Sequence, residues 1–296
     1  MVIIESYCIK NEFLTISVNR FGAELKSIIL NKTNKEYLWQ ADPAYWKRTS
    51  PILFPIVGSL KEKKYCYEDI DYPMRQHGFA RDMDFVLTKK TENSLSFILE
   101  DTSETRKEYP FHFKLLIDYT LLEKSVLVQW KVINTNAKTM YFSIGSHPAF
   151  SCPLSDHEKQ ADCFLSFDTE GPLCYSLINE KGLYVKKKYT MELDKHNFPL
   201  HEHLFDQDAL IFENYQIKKV KLLHSDKTPY LSIEFHAPIV GIWSSPKKNA
   251  PFVCIEPWYG RCDAQDFTGN LQERECGNSL AGGAAFSASY KIEICE

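Results

Sequence analysis

Short stretches in which apolar and polar residues alternate run through the sequence, and this alternation restricts the fold more than any other feature. It is clearest in four segments: residues 13–18, 95–99, 230–235 and 285–294. Successive side chains of a strand point to opposite faces of a sheet, so a period of two indicates strands with one buried face. Residues 111–119 and 126–132 are two further strands, and the turn at Glu123 and Lys124 between them predicts an antiparallel hairpin.

Helical periodicity is nearly absent. Residues 36–46 contain two apolar clusters, each long enough for a single helical turn. Many short strands at spacings of about 8 to 15 residues, with few helices, favour an all-β sandwich or barrel over alternating β and α units. Because no repeat, low-complexity segment or linker is visible, we predict one domain over residues 1–296, built from two extensive sheets packed face to face.

Charge and hydropathy exclude several classes of protein. The 35 basic and 39 acidic side chains give a net charge of −4 and a pI near 6.2, so the chain has no overall positive field for nucleic acid or an acidic membrane. No apolar run reaches the roughly 18 residues of a membrane span. We therefore expect neither a nucleic-acid partner nor a membrane partner, and the oligomeric state stays open.

The nine cysteines indicate a reducing compartment. Their number is odd, they are scattered along the chain, and no Cys-x-x-Cys pair is present. The first residues contain neither a basic segment nor a long apolar one, so we expect no signal peptide. These features predict reduced, mostly buried thiols and a cytoplasmic location.

Four segments combine ionisable side chains with turn residues and aromatic residues: residues 46–58, 75–81, 143–150 and 252–260. In each segment an ionisable side chain stands at the end of an apolar stretch, where a strand is expected to give way to a loop. Binding and catalytic sites on β scaffolds are commonly built at such positions.

Three residues of these segments are candidates for acid–base chemistry. Glu256 follows Val-Cys-Ile, which we expect to be a buried strand, and precedes Pro-Trp-Tyr. A carboxyl in an apolar setting has a raised pKa, which suits a general base, although a salt-bridged carboxylate at a strand end has the same sequence signature. His77 precedes a glycine and His147 precedes a proline; each is also consistent with a structural, hydrogen-bonded histidine.

Arginine and aspartate side chains are candidates for ligand binding. Arg48 has few acidic neighbours in the sequence, so it can contact a ligand oxygen or pair with a distant carboxylate. Asp206 and Asp208 precede an apolar strand. A carboxylate there can accept hydrogen bonds from hydroxyl groups or simply form a turn.

Signatures of metal, nucleophile and cofactor chemistry are weak. His196, His201 and His203 are close in sequence, and His-x-His places two imidazoles on one face of a strand, but no further ligand follows at a characteristic spacing. The Gly-x-Ser-x-Gly motif of hydrolases is absent, and Ser146 is merely adjacent to His147. No phosphate-binding loop or dinucleotide motif is present.

Taken in order, the four segments resemble the aldose 1-epimerase (galactose mutarotase) family. They contain an arginine, Arg48, before Pro-Ile-Leu-Phe-Pro, then Gln-His-Gly-Phe-Ala-Arg, Gly-Ser-His-Pro-Ala-Phe and Glu-Pro-Trp-Tyr-Gly. The similarity runs from about residue 11 to residue 294 and is greatest to the LacX-like branch. It implies a large antiparallel β "supersandwich" with a sugar-binding cleft on its concave face. It also implies interconversion of the α and β anomers of a free aldose such as galactose or glucose, with no cofactor or metal.

The resemblance further implies a role for each acid–base candidate. Glu256 would be the general base that removes the proton of the C1 hydroxyl, and His147 the general acid that protonates the ring oxygen. His77 would be a second active-site histidine that hydrogen-bonds the sugar, and Arg48 would donate to a sugar oxygen.

The remaining candidates concern binding and specificity. The Phe-x-x-Asp-Ala-Leu pattern favours Asp208 as the sugar-binding aspartate, whereas the spacing in other branches favours Asp206. Arg81, with Arg75 and Lys47, flanks the motifs. These cations leave open a hexose-6-phosphate 1-epimerase, whose substrate needs additional positive charge near the cleft. A carbohydrate-binding protein without turnover is the other alternative.

Aromatic residues make up 14% of the chain, and most are expected to belong to the sheet core. Four stand within a few residues of a proposed polar contact: Trp46, Phe79, Phe150 and Trp258. One or two of these, Trp258 first, are predicted to form an apolar wall for the sugar.

Overall fold

The longest strands show the burial pattern that the alternation predicts. In the computed structural model, which describes residues 5–296, the strand Phe113–Leu122 buries every second side chain along its length. All the predicted strands are present, and Glu123, with φ 52°, lies in the turn of the expected hairpin. Residues 1–4, where no signal peptide was expected, lie outside the described residues. Residues 36–46 contain turns but no helix.

The structure describes 25 strands in residues 5–296. In chain order they are β1 (Ser6–Lys10), β2 (Leu14–Asn19), β3 (Leu25–Leu30), β4 (Lys35–Glu36), β5 (Ile52–Leu53), β6 (Lys64–Tyr67), β7 (Ile70–Pro73), β8 (Val86–Lys90), β9 (Ser94–Glu100), β10 (Phe113–Leu122), β11 (Ser125–Asn134), β12 (Met140–Phe142), β13 (Ile144–Ser146), β14 (Ala149–Ser151), β15 (Phe164–Phe167), β16 (Leu173–Ile178), β17 (Tyr184–Met191), β18 (Asn197–Pro199), β19 (Leu210–Phe212), β20 (Lys219–Leu223), β21 (Pro229–Phe235), β22 (Ile239–Trp243), β23 (Phe252–Tyr259), β24 (Asn278–Leu280) and β25 (Ala285–Ile294). One short α-helix, α1 (Thr105–Glu108), and 3₁₀ turns at Lys61–Lys63, Ala80–Asp82, Gln160–Asp162 and Leu271–Glu273 complete the described elements.

Two large sheets account for most of the strands. A nine-stranded sheet has the order β18-β15-β20-β21-β25-β11-β10-β9-β8. An eight-stranded sheet has the order β17-β16-β19-β22-β23-β13-β5, with β14 also paired to β23. Neighbouring strands are antiparallel throughout both sheets. Strands β1 to β4 form a smaller sheet, and β6-β7 and β12-β24 are two-stranded.

The two large sheets pack face to face over a common apolar core. The ring of Trp130, on β11, lies 6.2 Å from that of Tyr259, on β23. The hydroxyls of Ser146, on β13, and Tyr290, on β25, are 2.9 Å apart. The predicted all-β antiparallel sandwich is therefore confirmed. Among residues 5–296, no helix is long and apolar enough to cross a membrane.

The eight-stranded sheet turns a second, outer face away from this core. Alternation along β23 places Val253 and Ile255 in the main core, and Glu256 and Trp258 on the outer face. In the adjacent strand β22, Gly241 pairs with Glu256 and therefore belongs to the same face. The residues singled out from the sequence gather on this outer face.

Candidate active site

A cavity of about 270 Å³ opens on the outer face of the eight-stranded sheet. Six of the eight predicted site residues line it: Glu256, His147, His77, Arg81, Asp208 and Trp258. Arg48 and Asp206 do not. The other lining residues are Trp46, Gly58, Gln76, Ile178, Gly182, Ala209, Ile211, Trp243 and Cys262. The fold thus brings most of the predicted residues together from four distant parts of the chain.

Strand register places His147 opposite Glu256. Gly145, on β13, pairs with Trp258, on β23, and β14 resumes the pairing with β23 in the same register. His147, two residues after Gly145, therefore faces the residue two before Trp258, on the same side of the sheet. Its Nε2 lies 3.3 Å from Oε1 of Glu256.

Glu256 lies inside β23, which corrects the sequence-based placement at a strand end. The strand extends from Phe252 to Tyr259 and contains Pro257. Ile255 donates its N–H to the carbonyl of Pro148 at 3.2 Å, so Pro257 presents its hydrogen-free nitrogen to the same edge. That edge is interrupted between β13 and β14, and a proline is tolerated in the strand because no ladder hydrogen bond is lost there.

Burial governs the protonation of Glu256. Its side chain is 1% exposed, and Oε2 has no hydrogen-bond partner among residues 5–296. Removal from water raises the pKa of Glu256 well above its ordinary value, and the negative charge of Asp208 raises it further. Once ionised, a carboxyl in this setting is a stronger base than one in water.

The pKa of His147 is shifted in the opposite direction to that of Glu256. Burial, together with the positive charges of Arg81 and Arg48, lowers the pKa of His147 to about 3. Its Nδ1 has no hydrogen-bond partner in the described part of the chain. Because the carboxyl is the more basic member of the pair, a single proton shared between them resides on Glu256 when the cavity holds no substrate.

His77 is fixed by Gly58. The backbone N–H of His77 donates to Gly58 O at 2.9 Å, and the N–H of Gly58 donates to Nδ1 of His77 at 3.1 Å. Since Nδ1 accepts, the ring proton is on Nε2, and burial with the charge of Arg81 lowers the pKa of His77 and keeps it neutral. Gly78 follows at φ 69°, where a Cβ would lie 2.3 Å from Phe54 O, so this turn requires glycine.

The two arginines of the prediction have different surroundings. Arg81 lines the cavity and donates to Gln76 O at 2.7 Å, and its Nε has no hydrogen-bond partner within residues 5–296. Burial and the charge of Arg48 lower the pKa of Arg81 to about 10. Arg48 instead donates to Oδ1 of Asp82 at 2.6 Å. Of the alternatives open for Arg48, the pairing with a distant carboxylate is the one observed.

Of the two candidate aspartates, the cavity is lined by Asp208. Asp208 has φ 73°, and its Oδ1 accepts the N–H of Ala209 at 2.8 Å. Burial raises the pKa of Asp208. Asp206 lies outside the cavity, with Oδ2 at 3.0 Å from Nδ1 of His203. The geometry therefore favours Asp208 for contact with a ligand.

Two glycines make room for the indole of Trp258. A Cβ on Gly241 would lie 2.6 Å from this ring, and one on Gly145 would lie 2.7 Å from it. The indole therefore lies close against both neighbouring strands, and its Nε1 is buried without a partner in the described chain. Its position at the cavity is consistent with the predicted apolar wall. Phe79 and Phe150, two other aromatic candidates, are core residues that do not line the cavity.

Aromatic rings surround the imidazole of His147. Trp46 stacks on it, with ring centroids 4.7 Å apart and planes inclined by 27°. Trp243 approaches it nearly at right angles at 5.3 Å, and His77 does so at 5.7 Å. The acid candidate is thus enclosed by π systems on several sides.

Several lining residues were not singled out from the sequence, and three of them show which signals were available. Gln76 stands in the same motif as His77, and that position was a usable signal. Trp243 is a large aromatic residue at the end of β22, a signal like the one used for Trp258. Ile211 reaches the cavity because it pairs with Gly241, which only the strand order reveals.

One group of potential metal ligands occurs at the site. Ligand atoms of His147, Cys254 and Glu256 lie within 4.8 Å of one another. Two features disfavour a cation there. Burial raises the pKa of the Cys254 thiol well above its ordinary value, and the charges of Arg81 and Arg48 repel a positive ion.

The histidines that are close in sequence do not form a ligand group within residues 5–296. His196 Nδ1 lies 3.1 Å from the carbonyl of Thr169, and His203 pairs with Asp206. The weak metal signature of the sequence therefore has no counterpart in these side chains.

A second buried charged cluster adjoins the cavity through Cys262. Arg274 Nε donates to Oδ1 of Asp263 at 2.7 Å, with both side chains almost fully buried. Arg261 Nε donates to Oε1 of Glu213 at 2.9 Å, and its guanidinium lies 3.7 Å from the ring centroid of Tyr184. In this cluster each charged group meets a partner of opposite charge.

A larger surface groove of about 1100 Å³ lies beside this cavity, since its lining residues Asn179, Lys181 and Leu183 are chain neighbours of the cavity residues Ile178 and Gly182. Its ionisable lining residues are Lys61, Glu62, Lys63, Glu180, Lys181 and Asp266. These charges balance, and none of the unpartnered buried polar atoms of the described chain belongs to them. The smaller cavity is therefore the candidate site.

Residues 5–265 match the family model described as aldose 1-epimerase. Over 274 residues the chain is 36% identical to the chromosomal protein LacX of Lactococcus lactis subsp. lactis. The match covers 90% of this chain and 91% of that protein, and the plasmid form of LacX gives the same values.

Two solved structures have the same fold. A galactose mutarotase related enzyme from Lactobacillus acidophilus is 33% identical with a TM-score of 0.92, over 99% of this chain and 98% of that one. A galactose mutarotase-like protein from Lactobacillus casei is 30% identical with a TM-score of 0.89, over 98% of this chain and 100% of that one.

Proposed function

Since the chain belongs to the aldose 1-epimerase family, we propose that it interconverts the α and β anomers of a free hexose, such as galactose or glucose, in this cavity. Membership of this family supports a carbohydrate epimerase, and a free hexose is the substrate that we propose for it. The observation that carries it is the buried His147–Glu256 pair at 3.3 Å, which joins two proton-transfer groups of unlike type at one cavity.

Ring opening needs one proton removed and one added at nearly the same time. Glu256 accepts the proton of the C1 hydroxyl as His147 donates a proton to the ring oxygen. The bond from C1 to the ring oxygen breaks and the C1 carbonyl forms. For this step His147 must carry the shared proton and Glu256 must be ionised. Sugar hydroxyls that donate to the buried carboxylate favour that arrangement, because hydrogen bonds to the charged form lower the pKa of a carboxyl.

Rotation about the C1–C2 bond then exposes the other face of the aldehyde. Reclosure reverses the two roles: His147 takes the proton from the C5 hydroxyl, and Glu256 returns one to the carbonyl oxygen. The pair ends the cycle with the proton it began with, so the reaction needs no cofactor or metal. Each such positioned transfer contributes about 10² to 10⁴ in rate.

The other lining residues suit the binding of a neutral sugar. His77 keeps a donor on Nε2, and Arg81 has a buried Nε without a hydrogen-bond partner in the described chain. Asp208 offers an acceptor, and Trp258 offers an apolar surface with an unpartnered N–H. We propose that Arg48 does not contact the sugar directly and instead holds Asp82 beside Arg81.

A free hexose is favoured over a phosphorylated one by the positions of the cations. Of the three that flank the motifs, Arg81 alone lines the cavity. Arg75 pairs with Glu108 at 3.2 Å, and Lys47 is exposed. A binding protein without turnover is disfavoured because both the acid and the base candidates are present.

We further propose that residues 1–296 act as one domain in the cytoplasm. All nine cysteines are free thiols, which supports a reducing compartment. The prediction that most of them are buried is wrong, because four are buried, one is half-buried and four are exposed.

An anomer-exchange assay tests the proposal. Polarimetry or NMR exchange would be measured with glucose, galactose and glucose 6-phosphate, after subtraction of the uncatalysed rate. We expect saturable acceleration with a free hexose. Preference for the phosphorylated sugar would replace the substrate assignment, and sugar binding without acceleration would leave a binding protein.

A further inference from the structure

We propose that Trp46 is a positioning residue for the acid–base pair: its indole face holds the His147 imidazole in line with Glu256 and stabilises the imidazolium. The inference rests on the proposed function, because it assigns His147 the role of acid. It adds a residue that transfers no proton itself and acts through the ring on which it stacks.

The need for such a residue follows from the charges around His147. Glu256 is the acidic side chain within ion-pair distance of it in residues 5–296, and Asp208 acts on Glu256 rather than on the ring. The other charged neighbours are Arg81 and Arg48, whose positive charges oppose a protonated imidazole. His77 is neutral, since its Nδ1 accepts a backbone N–H. When the shared proton moves onto His147, the resulting imidazolium therefore has Glu256 as its one negatively charged neighbour in residues 5–296 and two arginines that oppose it.

Trp46 supplies a compensating surface. Its ring stacks on the imidazole at 4.7 Å and 27°, within the distance at which a cation is attracted to an indole face. The indole face carries partial negative charge, and the attraction increases when water is excluded. Because only the protonated ring gains this attraction, the contact favours the state in which His147 can act as an acid.

Trp46 is itself held rigidly. Its backbone N–H donates to Asp42 O at 3.0 Å, and the indole Nε1–H of Trp39 donates to the backbone carbonyl of Trp46 at 2.9 Å. Its ring also lies 5.5 Å from Trp243 and 5.9 Å from Phe252. A residue held through both its backbone and its ring can fix the orientation of the imidazole as well as stabilise its charge.

The kinetic test compares Trp46→Leu, which removes the π face, with Trp46→Phe, which keeps one. We expect kcat to fall roughly ten- to thirtyfold in the leucine variant and by less than about threefold in the phenylalanine variant. The alkaline decline of kcat should move about one pH unit lower in the leucine variant, because the proton is held less tightly. Tyr45→Leu is the matched control: Tyr45 contacts Trp39 but not His147, and its loss should change neither quantity.

A second measurement is independent of turnover. The His147 imidazole is followed by NMR in histidine-labelled protein, alone and with 1,5-anhydroglucitol or 1,5-anhydrogalactitol, which lack the anomeric hydroxyl and cannot open. A lower His147 pKa in Trp46→Leu than in the wild type and Tyr45→Leu supports the proposal, even if no sugar is turned over. An unchanged pKa, or a rise in KM alone, overturns it and leaves Trp46 as a wall of the cavity. Thermal unfolding verifies that each variant is folded.

Discussion

Glu256 and Glu213 lie at the same sheet, with side chains 1% and 12% exposed, yet their protonation equilibria are shifted in opposite directions. Glu213 accepts hydrogen bonds from Arg261 at 2.9 Å and Lys188 at 2.6 Å. Burial opposes its ionisation, but these hydrogen bonds outweigh burial and lower the pKa of Glu213. Among residues 5–296, Glu256 has one ion-pair neighbour, His147, and burial raises the pKa of Glu256.

The difference separates a cluster whose charged groups are paired from one that keeps unpartnered buried atoms. Around Glu213, cations satisfy both carboxylate oxygens, so little potential for binding remains. Around Glu256, an oxygen and the neighbouring Nδ1 of His147 are buried without partners in residues 5–296. Unpartnered buried polar atoms are uncommon in folded proteins, and here they lie beside a cavity where a ligand can satisfy them.

The largest expected effect distinguishes the two glutamates by activity. Glu256→Gln keeps the shape of the side chain but removes the base, so kcat should fall by about 10² to 10⁴. His147→Ala should lose about as much. Glu213→Gln is the matched control and should stay within about tenfold of the wild type. Polarimetric anomer exchange measures all three, and near-normal turnover by Glu256→Gln would refute its role as base.

The second expected effect concerns stability. Arg274→Met leaves Asp263 buried and uncompensated, so the free energy of unfolding should fall by about 3–5 kcal/mol. Lys186→Met removes one partner of an exposed ion pair with Asp266 and should cost at most about 1 kcal/mol. Denaturant unfolding measures both. Equal losses in the two variants would contradict the structural role assigned to the buried cluster.

The third expected effect concerns folding stability, whose pH dependence should have opposite signs for Glu256 and Glu213. The folded-state pKa of Glu256 is raised, so its contribution to stability is full below the unfolded value of about 4.3 and is lost as pH rises. Glu256→Gln avoids that loss of stability because glutamine does not ionise. Its melting temperature should therefore rise relative to that of the wild type as the pH increases. The pKa of Glu213 is lowered, so its contribution is present above about 4.3 and lost in acid.

The deficit of Glu213→Gln should therefore be greatest near neutral pH and shrink as the solution is acidified. Melting temperatures of the two variants and the wild type over a pH series test both signs. If the two glutamine variants followed parallel curves, the opposed pKa shifts would be disproved.

The smallest expected effect concerns the apolar wall. Trp258→Ala removes the indole that lines the cavity, so KM should rise about tenfold while kcat changes less. Tyr215→Ala, which removes an exposed aromatic side chain that does not line the cavity, should change neither constant. An unchanged KM in Trp258→Ala would count against contact between this ring and the sugar.

Local patterns made the strands and most of the ionisable cavity residues predictable from the sequence. Alternating apolar and polar residues indicate a strand with one buried face. Four motifs contain His77, His147, Glu256 and their neighbours. Contacts between distant segments were beyond such patterns. Arg48 and Asp82 are 34 residues apart, and Glu213 and Arg261 are 48 apart. Even the place of Glu256 inside β23 depends on the interruption of a neighbouring strand, which the local sequence does not reveal.

Gly145 and Gly241 form a recess in the sheet that accommodates the Trp258 ring. Neither glycine lines the cavity, but a methyl group on either would come within 2.7 Å of the indole, so the ring or a strand beside it would have to shift. The position of the Trp258 ring, and with it the width of the cavity, therefore depends on two residues that do not line the cavity. We therefore expect Gly241→Ala to displace the Trp258 ring and change the size of the cavity without replacing a residue that lines it.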